Sequence, residues 1–336
     1  INVITAKPLE IGERQMSFGA KAVHDESDQD SAWTPEISGI YSDVFADGTF
    51  GVTISAIYQE REFGYNQAGV PSDWVPSNFR AGWADLPPPG TPGFENLPEE
   101  GENSWLPQNL LYSVNDVDRE RLNGQLVLQW RPVESLTLTL DYTYAETEIQ
   151  QRGQDLSFWF IQNASGSGTF TDSPVSPLVY SEIAGNRDWS TGTNQAGWKT
   201  KLDGIGFNAE WIARDGLGFA LDFHSSTSKS SSASPYGVNS AMGIPAYYDI
   251  EVQADFREDM PVLSTPTISS LNPADHQFSG AAFRNTLSEM EIEQLDLSGF
   301  WDINDRQTLD FGVLLSETNN RTAFGENQYA DWAGVG

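Results

Sequence analysis

Apolar residues recur at every second position between Gly124 and Tyr144, and this pattern constrains the fold of the chain more than any other feature. One apolar row runs from Leu126 to Trp130, and a second runs from Leu136 to Tyr144. A period of two places successive side chains on opposite faces of a β-strand. The connection between the two rows, Arg131–Ser135, is short enough to join antiparallel neighbours. We therefore predict a β-hairpin with one apolar face and one polar face.

The hairpin pattern occurs at three further places, around the short connections 45–49, 214–216 and 302–305. Trp130, Trp211 and Trp301 each occupy the last apolar position before a short turn. One such tryptophan is ordinary in a core. Three in the same register are typical of an aromatic girdle along one rim of a transmembrane barrel.

Long connections without sustained alternation separate the hairpins, at about 64–118, 149–196 and 231–286. Every long connection falls at one end of the strands, and every short turn falls at the other. Outer-membrane barrels have this anatomy, whereas soluble β-sandwiches do not normally keep it. We count nine strands after Gln15 and predict an all-β, antiparallel transmembrane β-barrel, of which these strands are one part.

Composition excludes several classes of protein. The 336 residues carry a formal net charge of −30, which argues against a nucleic-acid partner because basic patches supply most of that affinity. The chain has no cysteine, so disulfides and thiolate metal ligands are excluded. It has no run of about 18 apolar residues, so a helical membrane span is excluded. A β-barrel is compatible with this polar composition, because only alternate residues contact lipid.

The sequence contains no recognisable catalytic motif. The histidines, His24, His224 and His276, form neither an HExxH motif nor a closely spaced ligand pair, and there is no GxSxG motif or phosphate-binding loop. The acidic stretch 249–259 lacks EF-hand spacing and is interpreted as a solvated loop. We therefore predict no catalytic residue, no metal site and no cofactor, and we expect that the protein is not an enzyme.

Two sets of side chains are candidates for function. The first is acidic, lies opposite the apolar rows and is predicted to face a wet lumen or a plug, because such charges cannot face hydrocarbon: Asp141, Glu210, Asp222, Asp296 and Asp310. The alternative is the solvent face of a soluble sheet. The second is aromatic, lies outside the apolar rows and offers flat rings for stacking on sugars: Trp74, Trp83, Trp105, Trp159, Trp189 and Tyr247. The alternative is that these rings form small cores within the long loops.

Three segments resemble the family of TonB-dependent outer-membrane receptors. INVITAKP, Ile1–Pro8, resembles the end of the plug domain, where an INVITKRP-like strand leads into the barrel. YSDVFADGTFGV, Tyr41–Val52, looks like the first periplasmic hairpin of a proteobacterial subgroup associated with carbohydrate uptake. QWRPVESLTLTLDYTYAE, Gln129–Glu146, resembles a common barrel hairpin of the family.

The resemblance implies a barrel of about 22 strands whose lumen holds an N-terminal plug. Residues 1–12 would be the C-terminal end of the plug and its linker, and residues 13–336 would be the N-terminal, incomplete part of the barrel. We then expect a fragment of a longer polypeptide, located in the outer membrane of a Gram-negative bacterium and in contact with its lipid. The implied protein partners are TonB, with ExbB and ExbD, reached through a region N-terminal to this chain.

The resemblance implies active transport of a scarce nutrient, and a small-molecule or oligosaccharide ligand is expected. The connection 64–118 is acidic, with Arg80 as its only basic residue, so a neutral oligosaccharide is preferred. Uptake of a ferric siderophore or another metal complex by the same fold is the alternative. A secreted all-β glycan-acting enzyme or adhesin is an alternative of another class, and an open porin without a plug is a third.

Overall fold

A computed structural model describes residues 7–27, 33–76, 86–99, 102, 104–160, 166–171, 176–265 and 272–329 of the chain, without the side chains of residues 184–188 and 249–250. The structure is nearly all β, with 77% strand and 2% helix. Within the described ranges, no helix has both the length and the apolar character needed to cross a membrane.

The elements follow one another along the chain in this order: α1 (Pro8–Ile11), β1 (Gln15–His24), β2 (Trp33–Phe45), β3 (Phe50–Gly69), β4 (Trp74–Pro76), β5 (Phe94–Glu95), β6 (Trp105–Pro107), β7 (Asn109–Val133), β8 (Leu136–Trp159), β9 (Gly168–Phe170), β10 (Pro177–Arg214), β11 (Leu217–Ser232), β12 (Asn239–Asp255), β13 (Val262–Ser264), a 3-10 turn (Pro273–Asp275), β14 (Gly280–Asn304) and β15 (Gln307–Tyr329).

Nine strands lie side by side as one antiparallel wall, in the order β1, β2, β3, β7, β8, β10, β11, β14 and β15. The nine strands predicted after Gln15 all lie in this antiparallel wall. The described residues form six further strands that the sequence does not predict, β4, β5, β6, β9, β12 and β13, of which β5 and β9 pair in parallel. Short turns at 46–49, 134–135, 215–216 and 305–306 join neighbours at what we call the turn end. The longer connections lie at the opposite end, which we call the loop end. There β12 pairs with β10 and reaches β14.

The register places Trp130, Trp211 and Trp301 on one face of the wall at the turn end, as the sequence predicts. We call this the apolar face. It continues from the tryptophans through rows of leucine, isoleucine, valine and phenylalanine. Beyond Tyr58 and Tyr144 the same face becomes charged, because the next positions of these strands are glutamates.

The strands extend farther toward the loop end than predicted. β3 continues to Gly69 and pairs there with β7, which begins at Asn109, so much of the predicted connection 64–118 is strand. Likewise β8 reaches Trp159, and β10 begins at Pro177. The predicted boundaries are wrong here because both faces carry polar side chains. The alternation disappears from the sequence, while the backbone hydrogen bonds between neighbours continue.

An apolar core at the loop end holds the wall and the connections together. Its buried members come from β6 to β10, from the residue that follows β8 and from β12: Leu106, Leu110, Phe158, Phe160, Phe170, Tyr180, Trp189, Val252 and Ala254. Phe160 meets Phe158 and Tyr180 edge to face, with ring centroids 5.3 and 5.6 Å apart. Burial raises the pKa of Tyr180 well above its ordinary value, and its hydroxyl donates to Glu182 Oε1 at 2.6 Å. The loop end is therefore a packed layer in which side chains are fixed.

Candidate functional site

Helix α1 lies against one face of the wall near the turn end, and we call this the α1 face. The Leu9 backbone N–H donates to Gln129 Oε1 of β7 at 2.9 Å, and Gln129 itself is buried. Gly51 of β3 permits the close approach, because a Cβ there would lie 2.8 Å from Pro8 Cβ. Gly12 ends the helix in the left-handed region, at φ 70°, where glycine is favoured. The chain thus crosses the α1 face before it enters β1.

The five acidic residues predicted to face a lumen all have the register of the α1 face: Asp141, Glu210, Asp222, Asp296 and Asp310. Glu210 Oε1 lies 3.4 Å from Lys7 Nζ, which precedes the helix. Asp222 Oδ2 accepts from Asn208 Nδ2 at 3.3 Å. The register thus places these residues on one face, whereas their position in a lumen and their contact with a plug stay predictions.

One row of the α1 face brings arginines and a tryptophan together. Arg61 of β3 lies opposite Arg119 of β7, Arg119 lies opposite Ile149 of β8, and Ile149 lies opposite Trp198 of β10. Directly opposed residues of antiparallel neighbours share a face. Strands are spaced by about 4.8 Å, so the backbones at Arg119 and Trp198 are about 10 Å apart. Trp198 is 37% exposed. We call these four residues the arginine–tryptophan row.

Positive charge dominates around this row. Arg121 lies two residues from Arg119 on the same face of β7. Glu36 Oε2 accepts from Arg61 Nη2 at 2.6 Å, and its other oxygen lies 2.7 Å from Lys21 Nζ. Among the described residues, no carboxylate lies within salt-bridge distance of Arg119 or Arg121. Of the four cations on this part of the face, Lys21 and Arg61 therefore share Glu36, and Arg119 and Arg121 have no carboxylate partner among the described residues.

The guanidinium of Arg119 is only partly satisfied. Its Nη2 donates to Gln59 Oε1 at 3.3 Å, while its buried Nε has no hydrogen-bond partner among the described residues. Burial, followed by the charges of Arg121 and Arg61, lowers the pKa of Arg119. A desolvated cation beside like charges is stabilised by an anion that approaches it.

From the row toward the loop end, the α1 face carries amides and hydroxyls. Gln151 Nε2 donates to Asn115 Oδ1 at 2.9 Å and to Tyr65 Oη at 3.0 Å. Asn115 Nδ2 donates in turn to Ser113 Oγ at 3.0 Å. Trp159 ends this face of β8 and is 39% exposed. Such groups can exchange hydrogen bonds with hydroxyls of a ligand.

The predicted aromatic ligand residues lie in several places. Trp74 of β4 packs against Phe256, with ring centroids 5.1 Å apart. Trp105 of the facing strand β6 is 40% exposed. Trp83 and the basic residue Arg80 of the same connection lie outside the described residues. Trp74 and Trp105 thus belong to a small two-stranded sheet beside the wall.

Trp189 and Tyr247 differ from the exposed rings. Trp189 is 6% exposed and lies in the loop-end core, 6.1 Å from the ring of Phe158, so it presents no free surface. Tyr247 is half-buried on β12, next to the β10 segment that carries Trp189. Of the predicted rings, Trp159 alone has the register of the α1 face within the described strands of the wall.

The arginine–tryptophan row was not predicted from the sequence. Arg119 and Arg121 have the parity of Gln129, and Trp198 has the parity of Glu210, so alternation assigns all three to the polar face. What alternation does not give is the register between strands, which alone places Arg61, Arg119 and Trp198 in one row.

Comparison with known proteins provides no assignment: no family model, no curated protein and no solved structure matches this chain.

Proposed function

We propose that this chain belongs to an outer-membrane receptor of the TonB-dependent type, which imports a scarce nutrient. The observation that carries the proposal is the band of apolar side chains on the apolar face. On β7 this band covers nine residues, from Leu122 to Trp130, and the acidic residues Glu120 and Asp118 follow on the same face. A tilted strand needs about 9–11 residues to cross the hydrocarbon of a bilayer. The apolar band is therefore of the right extent for a membrane wall.

Aromatic residues border the band on both sides, which supports a membrane setting. Trp130 and Trp211 are about half exposed at the turn end. At the other limit, the hydroxyl of Tyr58 donates to Glu120 at 2.9 Å, and that of Tyr142 donates to Asp203 at 2.8 Å. Rings with an apolar body and a polar tip suit the boundary between lipid and water. An exposed apolar surface of this extent is uncommon in monomeric soluble proteins.

Helix α1 supports the resemblance to the junction of plug and barrel. Lys7 and Pro8 close the INVITAKP segment, and the chain then lies on the α1 face before β1 begins. In the proposed receptor this face lines the lumen. The ion pair of Lys7 with Glu210 is then a contact between the end of the plug and the wall.

The proposed nutrient is an oligosaccharide. On the α1 face, Trp159 and Trp198 offer partly exposed rings, and Asn115 and Gln151 offer amides nearby. Rings and amides together can bind the apolar faces and the hydroxyls of sugars. A ferric siderophore or another metal complex is the second candidate, because Arg119 has no carboxylate partner among the described residues and therefore favours an anionic ligand.

Fractionation of cells that produce the intact protein tests the proposed location and transport. We expect the protein in the outer-membrane fraction, resistant to alkaline carbonate and released only by detergent. We also expect that ligand uptake stops when TonB is deleted. Recovery of the protein from the medium as a detergent-free soluble species would overturn the proposal and favour a secreted glycan-acting enzyme or adhesin.

A further inference from the structure

We propose that the arginine–tryptophan row binds a uronic-acid unit of an acidic oligosaccharide, with Arg119 bonded to the carboxylate and Trp198 stacked on the sugar ring. This inference rests on the proposed import of an oligosaccharide and defines its chemical class. It also reverses the preference for a neutral ligand, which the acidic connection 64–118 suggested.

Two arginines of the α1 face lack an acidic partner among the described residues, which is the first argument for this site. Arg61 is already paired with Glu36 at 2.6 Å, so it holds a position but is not free for a ligand. Arg119 and Arg121 are near each other, and neither has a carboxylate partner among the described residues. These two arginines therefore lack an acidic partner in the described structure, although the chain has a net charge of −30. A ligand carboxylate would supply the missing charge and, through a two-pronged bond, the missing acceptors.

The distance between Arg119 and Trp198 is the second argument. Trp198 lies two strands from Arg119, at about 10 Å between backbones, and Ile149 separates them. Side chains from both positions can therefore contact one sugar unit that lies over Ile149. A flat aromatic ring suits the apolar face of a pyranose, while the planar guanidinium suits its carboxylate. A small anion such as phosphate has no apolar face that could stack on the ring of Trp198.

Polar side chains lie on both sides of the row, which is the third argument. The next row toward the loop end contains Gln151, whose amide already takes part in a network with Asn115 and Tyr65. The next row toward the turn end contains Thr147 and Thr200, opposite each other on β8 and β10. Hydroxyls and amides thus flank the row on both sides, as the hydroxyls of adjoining sugar units require.

Calorimetric titration of the intact receptor in detergent micelles tests the inference with two probes, an oligogalacturonate and its methyl ester. The probes share their rings and differ in the charge of the carboxyl groups. We expect the free acid to bind at least about tenfold more tightly than the ester, because hydrogen bonds to charged groups are the strong ones. This preference should be lost in Arg119→Gln and reduced in Arg119→Lys, which keeps the charge but not the fork. Trp198→Ala should weaken both probes.

Arg152→Gln is the matched control, because Arg152 lies on the apolar-face side of β8 and pairs with Asp118 at 3.5 Å. It should leave both affinities unchanged. Equal affinity for acid and ester, or an acid preference that survives in Arg119→Gln, would overturn the inference. Tight binding of a ferric siderophore with no binding of either sugar would also overturn it. If Arg119→Gln does not fold, the ratio of acid affinity to ester affinity is measured in Arg119→Lys and Arg121→Gln. A ratio that is unchanged in both variants would overturn the inference.

The two proposals fail separately. A receptor that fractionates with the outer membrane but prefers the ester refutes only the acidic ligand. A soluble protein that binds oligogalacturonate through Arg119 refutes only the transport function.

Discussion

Arginine substitutions at two depths of the apolar face would separate a membrane wall from a soluble sheet. Leu140 lies at the middle of the band, opposite Leu128 and Phe207, and is 41% exposed. Leu122 lies at its limit, opposite Tyr58 and Glu146, and is 44% exposed. The two leucines are therefore matched in residue type and in exposure, and differ in depth.

In a bilayer the costs of the two substitutions should differ. Arginine at the midplane of a barrel costs about 2–4 kcal/mol, and near the interface it costs about 0–1 kcal/mol. We therefore expect Leu140→Arg to lower the free energy of unfolding by about 2 kcal/mol more than Leu122→Arg does. At Leu122 the new charge also has Glu146 directly opposite, which lowers its cost further.

The assay is urea unfolding of the intact receptor refolded into phospholipid vesicles, followed by tryptophan fluorescence. Both variants should show the same slope against urea, so that the midpoints report stability alone. A soluble sheet predicts costs that differ only by the pairing of the new charge with Glu146, about 1 kcal/mol or less, because both side chains are equally exposed to water. Equal costs in vesicles would refute the membrane assignment of the band.

Three further outcomes are expected. Gly51→Val should displace α1 from the wall, because a Cβ there overlaps the helix, and faster proteolysis near residue 7 would report this change. Trp189→Ala should lower the stability of the loop end by about 3–5 kcal/mol, as for other buried aromatic residues, while the exposed Trp105→Ala should cost about 0.5 kcal/mol or less; hydrogen exchange of β10 distinguishes the two. The bond to Arg257 lowers the pKa of Asp255, so this turn should be tightest above the ordinary pKa of an aspartate and should loosen as the pH falls through the lowered value. Exchange rates of the Arg257 amide against pH would show it, and a rate independent of this titration would contradict the expectation.

The wall could be predicted from the sequence because its turn-end half has a simple physical rule. One face is apolar and one is polar, so alternation gives both the strands and the face of each residue, as for Trp130 and Asp141. Near the loop end this rule fails. The segments that begin at Asn109 and end at Trp159 carry polar groups on both faces, and there the hydrogen bonds between strands, rather than the burial of one face, define the structure.

The candidate site could be predicted only in part, because it depends on contacts between distant segments. Parity assigns Arg119 and Trp198 to the polar face. That they lie in one row follows only from the register of β7 with β8 and of β8 with β10. Trp189 is proposed as a ligand residue from the sequence, but the structure buries its ring. A tryptophan in an irregular segment looks exposed, whereas Phe158 of a neighbouring strand covers it in the folded chain.

The continuity of β10 couples the two ends of the molecule. Gly197 is the point at which its partner changes: its N–H donates to Val238 of the segment before β12 at 3.0 Å, and its carbonyl accepts from Ala233, just after β11, at 3.1 Å. A slip of one residue in the hairpin of β10 with β11 would carry over to the pairing of β10 with β12 as far as the irregularity between Ala184 and Arg187, unless a bulge nearer Gly197 absorbed it. It would turn the buried Ala246, which lies opposite Trp189, to the other face, because neighbouring residues point to opposite faces. Because the turn at 215–216 has two residues and the connection to β12 is longer, we expect the hairpin to close first and to set the register in which the longer connection packs.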